Sequence, residues 1–371
     1  MRIGVPKEVK VQEYRVGLVP ANVRELCTRG HEVHVETGAG AGIGASDDDY
    51  RAAGAQIQGD ADAVFAAAEM IVKVKEPLAA ERQRLRPDHL LFTYLHLAAD
   101  PEQAADLVAS GASCIAYETV TSAQGGLPLL APMSEVAGRL AVQAGAYHLQ
   151  RPQGGRGVLL GGVPGVPPAR VTILGGGVVG LHAATIAVGM GARVAVLDRN
   201  LDVLRKLSRQ FGNAIDLVYS NVDSVERHCI EADLLIGGVL IPGAAAPKLV
   251  TRELVRRMQR GAVIVDVAID QGGCCETSHP TTHDDPTYVV DGVVHYCVAN
   301  MPGAVPRCSA QALNNATLPF VLALAQRGLD ALRADPHLLA GLNVHGGRIT
   351  NEPGAQALGL EYSDPAQALE V

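Results

Sequence analysis

Tryptophan is absent from this 371-residue sequence, and aromatic residues make up only 4% of it. Such a low content excludes the aromatic platforms on which single-stranded nucleic acids stack. The net charge is −8 and no basic block is present, so the clustered Lys and Arg that bind a phosphate backbone are missing too. The composition therefore predicts no nucleic-acid partner.

Long hydrophobic runs are also lacking. The longest apolar stretches have the length of strands or are broken by Gly, Pro and charged residues, which predicts no membrane-spanning segment. The first residues read directly as a strand and contain no apolar stretch of signal-peptide length. We therefore expect a cytoplasmic protein.

Cysteine is sparse, with seven residues, no CxxC motif and no spacing typical of a metal site. This usage is typical of reduced thiols in a reducing compartment. Cys274 and Cys275 are the only adjacent pair, and neighbouring cysteines are too constrained for a routine disulfide. We expect two packed or partly exposed thiols there.

One segment carries a nucleotide-binding motif. Residues 171–174 form a β-rich run that leads into a GxGxxG turn, an apolar helix and a second β-rich run ending in Asp198. Gly175 permits a tight turn, Gly177 lets the backbone approach a pyrophosphate, and Gly180 lets the helix pack close to the strand. The helix N-terminus then offers free N–H groups to phosphate. The segment predicts dinucleotide binding, and a purely structural glycine turn is the alternative.

The acid at the end of the second run indicates which dinucleotide is bound. Asp198 stands about 20 residues after the first glycine, where a carboxylate accepts hydrogen bonds from the adenosine ribose. The same carboxylate repels a 2′-phosphate, although Arg199 beside it reduces that repulsion. The pair favours NAD over NADP.

Alternation of β-rich and helical stretches runs through residues 2–117 and again through 171–298. This βαβ rhythm predicts an α/β protein with two doubly wound, Rossmann-like domains. The tail contains too little sheet to be a domain and should pack back on the first one. We therefore predict a discontinuous substrate domain of residues 1–127 plus 305–371, a NAD-binding domain of residues 128–304, and a cleft between the two.

Two glycine-rich stretches and one helical stretch connect these parts. Residues 38–42 lead into an acidic run rather than an apolar helix, which favours a loop over a second phosphate site. Residues 153–168 are dense in Gly and Pro and predict irregular backbone. Residues 128–150 predict a connector helix, for which Ser134 is a plausible start.

Four polar residues stand where ligands bind in open α/β sheets, beyond the carboxyl ends of strands. Lys75 and His96 each follow a predicted strand of the first domain, and Asp270 ends one in the second. Arg15 lies on the first loop, where a guanidinium could hold a carboxylate at two points. Three of them have a simpler explanation: Lys75 as a solvated lysine, Arg15 as a surface arginine and His96 as a packed histidine. Lys75 and His96 follow two strands of one sheet, so each supports the assignment of the other to a site.

Seven short segments, in order and well spaced, together resemble the family of the alanine dehydrogenases and the NAD-binding subunit of proton-translocating transhydrogenase. The resemblance runs from residue 1 to about residue 319 and is loose beyond that. The segments are RIGVPKE (2–8), KVKEP (73–77), YLHLA (94–98), PMSEVAGR (132–139), GGVPGV (161–166), DVAIDQGG (266–273) and VANMP (298–302).

The resemblance implies NAD-dependent, reversible oxidative deamination of L-alanine to pyruvate and ammonia, in a homohexamer. One alternative is a transhydrogenase subunit, which serves a membrane complex. The chain disfavours it, having neither a hydrophobic span nor the Arg-Gln-Asp triplet expected before the connector helix. A catalytically silent NAD sensor is disfavoured because Lys75, His96 and Asp270 are all present.

The resemblance also implies roles for individual residues. Arg15 and Lys75 would bind the substrate carboxylate and carbonyl, and His96 and Asp270 would be the acid/base groups. The residues that would line the cofactor are Ser134, Gly175, Gly177, Val178, Gly180, Asp198, Ser220, Val239, Leu240, Val267, Ala268, Ile269, Asp270, Val298, Ala299, Asn300 and Met301.

The chain departs from the family pattern at two pairs of positions. Some relatives carry a basic residue where this chain has Val203 and His279, so those cofactor contacts are not carried over. Certain members bind a divalent ion through a carboxylate and a histidine, where this chain has Ala323 and Arg327. We therefore predict no metal.

Overall fold

The computed structural model describes residues 1–239 and 246–370. Within them the strands are β1 (Arg2–Val5), β2 (Glu32–Glu36), β3 (Gln56–Gln58), β4 (Met70–Val72), β5 (Leu90–Thr93), β6 (Ser113–Ala116), β7 (Arg170–Leu174), β8 (Arg193–Asp198), β9 (Asp216–Tyr219), β10 (Leu234–Gly237), β11 (Val263–Asp266), β12 (Thr287–Val290), β13 (Val293–Tyr296), β14 (Leu342–His345) and β15 (Arg348–Ile349). The helices are α1 (Pro20–Thr28), α2 (Asp47–Ala52), α3 (Ala61–Ala67), α4 (Ala79–Arg82), α5 (Pro101–Ser110), α6 (Ala131–His148), α7 (Val178–Gly189), α8 (Leu201–Phe211), α9 (Val222–Glu231), α10 (Arg252–Arg257), α11 (Pro306–Arg327), α12 (Asp330–Ala334), α13 (Pro336–Leu339), α14 (Glu352–Leu358) and α15 (Pro365–Ala368).

The chain forms two compact units. The first consists of Met1–Met133 together with Val305–Val371, and the second of Ser134–Ala304. The assignment of substrate binding to one unit and NAD binding to the other stays a prediction.

The first unit is built on a sheet of strand order β3-β2-β1-β4-β5-β6-β14-β15 among the described residues. Strands β1 to β6 run parallel, whereas β14 pairs antiparallel with β6 and β15 antiparallel with β14. The side chains of β4, β5 and β6 are buried on both faces, as expected of a covered parallel sheet. Because these strands are parallel, the loops that follow them emerge at one edge.

The second unit has the strand order β12-β13-β11-β10-β7-β8-β9, in which β12 alone is antiparallel among the described strands. Two apolar clusters cover its two faces. One contains Ala141 of α6 and Ala183 of α7, and the other contains Val225 of α9 and Leu254 of α10. Helices on both faces of a parallel sheet define the doubly wound arrangement, and the predicted α/β fold class is confirmed.

Several short elements of the first unit, among them α2, β3, α4, β14 and β15, are not predicted from the sequence. The acidic run after residues 38–42 forms α2, because the Ser46 side chain caps the N–H of Asp49 while the Asp49 carboxylate accepts the N–H of Ser46 at 2.7 Å. Carboxylates in a first turn also favour a helix through its dipole. The three-residue strand β3 follows and pairs with β2.

The connector helix α6 begins at Ala131, so the prediction that it starts at Ser134 is wrong. The N–H of Ala131 already donates to the Leu127 carbonyl at 3.0 Å. Pro132 fits the first turn, where its missing N–H leaves no hydrogen bond unmade. Among all the described helices, none is long and apolar enough to cross a membrane.

Candidate active site

Lys75 lies at the carboxyl edge of the first sheet, in the segment that leaves β4. The hydroxyl of Thr93, the last residue of β5, donates to the Lys75 carbonyl at 2.9 Å. The N–H of Tyr94 donates to the Val74 carbonyl at 3.2 Å. The segment that carries Lys75 is therefore fastened to the end of the neighbouring strand.

A buried charged group lies under this segment. The Lys73 ammonium, fully buried, is 3.2 Å from a Glu8 oxygen and 2.7 Å from a Glu81 oxygen. The Glu8 carboxylate also accepts the N–H groups of Val74 at 2.7 Å and Lys75 at 3.4 Å. Burial raises the pKa of Glu8, against the attraction of Lys73. Burial alone would lower the pKa of Lys73, but the two carboxylates outweigh it and raise that pKa.

His96 stands just beyond β5 in the left-handed region, with φ 49° and ψ 40°. The Glu118 carboxylate, beyond the end of β6, accepts the N–H of His96 at 2.6 Å and the N–H of Leu95 at 3.1 Å. The side-chain amide of Gln103 donates to the Leu95 carbonyl at 2.6 Å. The imidazole of His96 is stacked on the Tyr94 ring, with centroids 5.9 Å apart and planes 8° apart.

Arg15 is buried in the loop between β1 and α1. Its Nε and Nη2 donate to the two oxygens of Glu13 at 2.6 and 2.5 Å, and its Nη1 lies 3.0 Å from the Met133 sulfur. Burial lowers the pKa of the guanidinium, but Glu13 outweighs this and raises it. The loop is fixed by Asn314 of α11, which accepts the Val19 N–H at 2.8 Å. The guanidinium is thus held in one orientation by a neighbouring carboxylate.

The structure brings Arg15, Lys75 and His96 to one region of the first unit. Tyr94 stacks on His96 and interacts electrostatically with Arg15. Burial alone would raise the pKa of Glu76. The nearby Lys75, Lys10 and His96 outweigh this effect and lower that pKa. Arg15, Lys75 and His96 therefore lie at the carboxyl end of the first sheet, together with the carboxylates of Glu13 and Glu76.

In the second unit the glycine motif has the geometry predicted for it. Gly175 has φ +96°, Gly177 precedes the first turn of α7, and a Cβ at Gly180 would come within 1.8 Å of the Gly175 carbonyl oxygen. A Cβ at Gly177 would meet nothing within 4 Å, so the approach to the first N–H groups of α7 is open. The residues present fit a dinucleotide pyrophosphate.

The other residues predicted to line the cofactor follow the ends of parallel strands of the same sheet, so most of them share its carboxyl edge. Ser220, just past β9, is buried and donates its N–H to the Asp198 carbonyl at 3.0 Å. Asp270 is exposed on the turn Val267–Gln271 after β11. Val239 follows β10, and residues 298–301 follow β13. Leu240 lies outside the described residues.

Ser134 and Val178 complete the predicted cofactor set. Ser134 lies in α6, which packs closely on α7, since a Cβ at Gly138 would come within 2.3 Å of the Val179 carbonyl oxygen. Val178 is the first residue of α7 and its side chain is exposed. Both residues therefore stand near the start of α7.

One group among the described residues has the composition of a metal site. Asp266, Cys274 and Cys275 are buried with their ligand atoms within 4.8 Å of one another. Asp266 Oδ2 already accepts the N–H groups of both cysteines and the hydroxyl of Ser278 at 2.6 Å. The side-chain hydrogen bond with Cys275, burial and the nearby carboxylate raise the pKa of the Cys274 thiol. The thiol therefore stays protonated, and a protonated thiol is a poor metal ligand. The absence of a metal stays a prediction.

Several residues of the site escape the sequence reasoning. A lysine that interrupts the apolar run of residues 70–74 is a usable signal for Lys73, because a buried charge needs a partner. No spacing points to Glu118 or Asn314, which reach their partners only through the fold, whereas Glu13 pairs with Arg15 two residues along the same loop.

Comparisons with known proteins agree with this geometry. Residues 4–137 match the family described as "Alanine dehydrogenase/PNT, N-terminal domain", and residues 141–352 match "Alanine dehydrogenase/PNT, C-terminal domain". An alanine dehydrogenase of Halomonas elongata is 58% identical over 100% of both chains. A solved L-alanine dehydrogenase superposes with a TM-score of 0.94 at 56% identity, covering 97% of this chain and 99% of the other. A transhydrogenase from Sinorhizobium meliloti superposes with a TM-score of 0.81 at 25% identity, covering 95% and 99%.

Proposed function

The chain belongs to the alanine dehydrogenase/PNT family, and from this we propose that it is an NAD-dependent L-alanine dehydrogenase. It catalyses the reversible oxidative deamination of L-alanine to pyruvate and ammonia. The observation that carries the proposal is the grouping of Arg15 and His96 about Tyr94 and of Lys75 and His96 about Glu76, in a chain that matches an alanine dehydrogenase over its full length.

The alternative within the family is a transhydrogenase NAD-binding subunit. The similarity favours the dehydrogenase, because the identity is 58% to an alanine dehydrogenase and 25% to a solved transhydrogenase. Both comparisons cover nearly the whole chain, so the difference does not come from partial coverage.

NAD is the proposed cofactor, and when bound it supplies the acceptor for the hydride of the substrate α-carbon. The open N-terminus of α7 would hold the pyrophosphate, with Gly175, Gly177 and Gly180 giving the backbone its close approach. Asp198 would accept from the ribose hydroxyls and disfavour a 2′-phosphate. The remaining contacts are those of the cofactor set predicted from the sequence.

Arg15 and Lys75 are proposed to hold the substrate. Arg15 would attract the carboxylate from a guanidinium that Glu13 keeps in one plane. Lys75 would face the carbonyl oxygen of pyruvate and stabilise negative charge that develops there. Its main chain is held by Thr93 and Glu8, which fixes the point from which the side chain extends.

His96 and Asp270 are proposed as the acid and base. Conversion of the amine to a ketone requires proton removal at nitrogen, attack by water and protonation of the leaving ammonia. An imidazole exchanges protons near neutral pH, and an exposed carboxylate can take a proton from water. His96 belongs to the first unit and Asp270 to the second.

We further propose a homohexamer in the cytoplasm. The hexamer rests on the family resemblance, and light scattering after size-exclusion chromatography tests it. The cytoplasmic location is supported by the seven cysteines, all of which are free thiols, as is usual in a reducing compartment.

The activity is tested with purified protein, L-alanine and NAD at alkaline pH, following the absorbance of NADH. Pyruvate, ammonium and NADH test the reverse direction. NADH formation that depends on L-alanine and is weaker with L-serine or 2-aminobutyrate is expected. Binding of NADH without turnover of any amino acid would favour a transhydrogenase subunit or a silent NAD-binding protein.

A further inference from the structure

The backbone at His96 carries a strain that its own sequence does not explain. Its φ of 49° and ψ of 40° belong to the left-handed region, which non-glycine residues avoid unless their surroundings impose it. The chain here has neither a glycine nor a side-chain cap on the turn Leu97–Ala99 that follows. Something outside this segment therefore holds it.

The Glu118 carboxylate is in a position to do so. It accepts two successive N–H groups, from Leu95 at 3.1 Å and from His96 at 2.6 Å. Two adjacent N–H groups that converge on one anion form a concave backbone site that binds negative charge. Both N–H groups donate to Glu118 Oε1, and the Leu95 N–H also lies 3.3 Å from Oε2. The negative charge of the carboxylate strengthens these hydrogen bonds, and a neutral amide would lack it.

Three other contacts also hold the segment around His96. The Gln103 amide donates to the Leu95 carbonyl, the His96 carbonyl accepts the Ala99 N–H at 3.0 Å, and the Tyr94 ring lies flat against the imidazole. Tyr94 is itself fixed, because its hydroxyl donates to the Leu129 carbonyl at 2.5 Å. The imidazole is left exposed while its backbone is held.

The register of the sheet explains why Glu118 can reach the N–H groups of Leu95 and His96. Thr93 at the end of β5 is paired with Ala116 at the end of β6. His96 and Glu118 therefore emerge from adjacent parallel strands at the same edge. The carboxylate crosses from one strand end to the next and joins the two loops.

We propose that Glu118 is a positioning residue for the reaction: its carboxylate holds the left-handed turn that aims the His96 imidazole at the substrate. The inference rests on the proposed function, since it needs His96 to transfer protons. Glu118 acts through the backbone of His96 and does not itself touch the substrate.

The test compares Glu118→Gln with Glu69→Gln. Glu69 also accepts a backbone N–H, that of Arg2 at 2.7 Å, but it precedes β4 and so lies at the opposite edge of the sheet. Steady-state kinetics with L-alanine and NAD, NADH binding by fluorescence, and hydrogen–deuterium exchange of the peptide containing residues 90–99 are measured on the full-length proteins. Glu118→Asp, which keeps both acceptor oxygens, is the conservative variant.

We expect Glu118→Gln to lower kcat at least about tenfold, as misplacement of an acid/base group does, while the KM for L-alanine changes less than about threefold. The solvent deuterium isotope effect on kcat should increase, because proton transfer becomes slower. Exchange at residues 90–99 should accelerate, and NADH binding should stay unchanged. Glu118→Asp should recover part of kcat, and Glu69→Gln should leave kcat and this exchange unchanged.

A wild-type kcat and isotope effect in Glu118→Gln would overturn the proposal. An equal loss of kcat in Glu69→Gln would do the same, since the effect would then be general destabilisation. If Glu118→Gln does not fold, Glu118→Asp provides the test. A wild-type kcat in Glu118→Asp would contradict the proposal that the position of this carboxylate matters. If the wild-type protein oxidises no amino acid, the proposed function fails. Independently of that result, unchanged hydrogen–deuterium exchange at residues 90–99 in Glu118→Gln would show that Glu118 does not hold the turn.

Discussion

The Asp198 carboxylate accepts the backbone N–H of Gly176 at 2.7 Å, across the glycine turn. Its second oxygen accepts the N–H of Asn200 at 2.7 Å. The residue predicted to recognise the ribose therefore also holds the glycine turn in place. On the proposed function, cofactor choice and cofactor affinity would both depend on this side chain.

Asp198→Asn should weaken NAD binding by at least about tenfold, because hydrogen bonds to a charged group contribute about 1.5–3 kcal/mol. It should also narrow the preference for NAD over NADP, since the charge that repels a 2′-phosphate is gone. The KM values for both cofactors measure this. Asp202→Asn, an exposed carboxylate paired with Arg205 on α8, is the control. An unchanged KM for NAD would contradict the assigned role.

His96→Ala and Asp270→Ala should each lower kcat by about 10²–10⁴-fold, the usual effect of removing an acid/base group. Fluorescence titration should still detect NADH binding, because the glycine turn is intact. His31→Ala, a half-buried histidine beside the N-terminal amine, should retain full activity. Full turnover in either active-site variant would remove that residue from the mechanism.

Gly180→Ala should abolish NAD binding and destabilise the second unit by about 1–3 kcal/mol or more, because its Cβ has no room beside the Gly175 carbonyl oxygen. Gly189→Ala in the same helix is the matched control, since its Cβ would meet nothing within 4 Å. Thermal unfolding and NADH titration of the two variants give the comparison. Similar behaviour of both would mean that the close approach is not required.

Lys73→Met should destabilise the protein by about 3–5 kcal/mol, because it leaves Glu8 and Glu81 buried without a counter-charge. Arg84→Met removes the partner of Asp62 at the surface and should cost only about 0–1 kcal/mol. Urea denaturation at neutral pH measures both. A loss as small in Lys73→Met as in Arg84→Met would show that the buried group contributes little.

The raised pKa of Glu8 gives a pH dependence with a definite sign. Because the folded pKa lies above the ordinary value of 4.5, the folded state binds a proton more tightly than the unfolded state. Its contribution to the free energy of unfolding is complete below pH 4.5 and is lost as pH rises through the folded pKa. Glu8→Gln should flatten this part of the stability curve. Denaturation from pH 4 upward, compared with Glu36→Gln as a surface control, measures the difference; parallel curves would contradict it.

Local patterns predict much of the fold. The βαβ rhythm gives the α/β class, and the glycine spacing gives the turn between β7 and α7, because both depend on nearest neighbours along the chain. The start of α6 is misplaced since Ser134 resembles a cap while Pro132 and the preceding turn decide the boundary. Short elements such as α2 are missed because a capping box, not an apolar face, forms them.

The site divides in the same way. Lys75 and His96 can be predicted because strand ends of one parallel sheet converge, and this convergence follows from alternation alone. Glu118 cannot, since an acidic residue on a loop is expected to be solvated until strand register brings it to a partner. Long-range pairing is thus the part of the site that sequence periodicity does not encode.

The pairing of β14 with β6 joins Leu342 to Ile115, two positions separated by the whole of the second unit. During synthesis the second unit, a continuous segment, leaves the ribosome before the last strands of the first sheet exist. Strand β6 must therefore wait with one edge uncovered until the C-terminal segment emerges, and closure of that long loop carries an entropic cost. Truncations near the C-terminus should accordingly lower the yield of folded protein as well as the local stability.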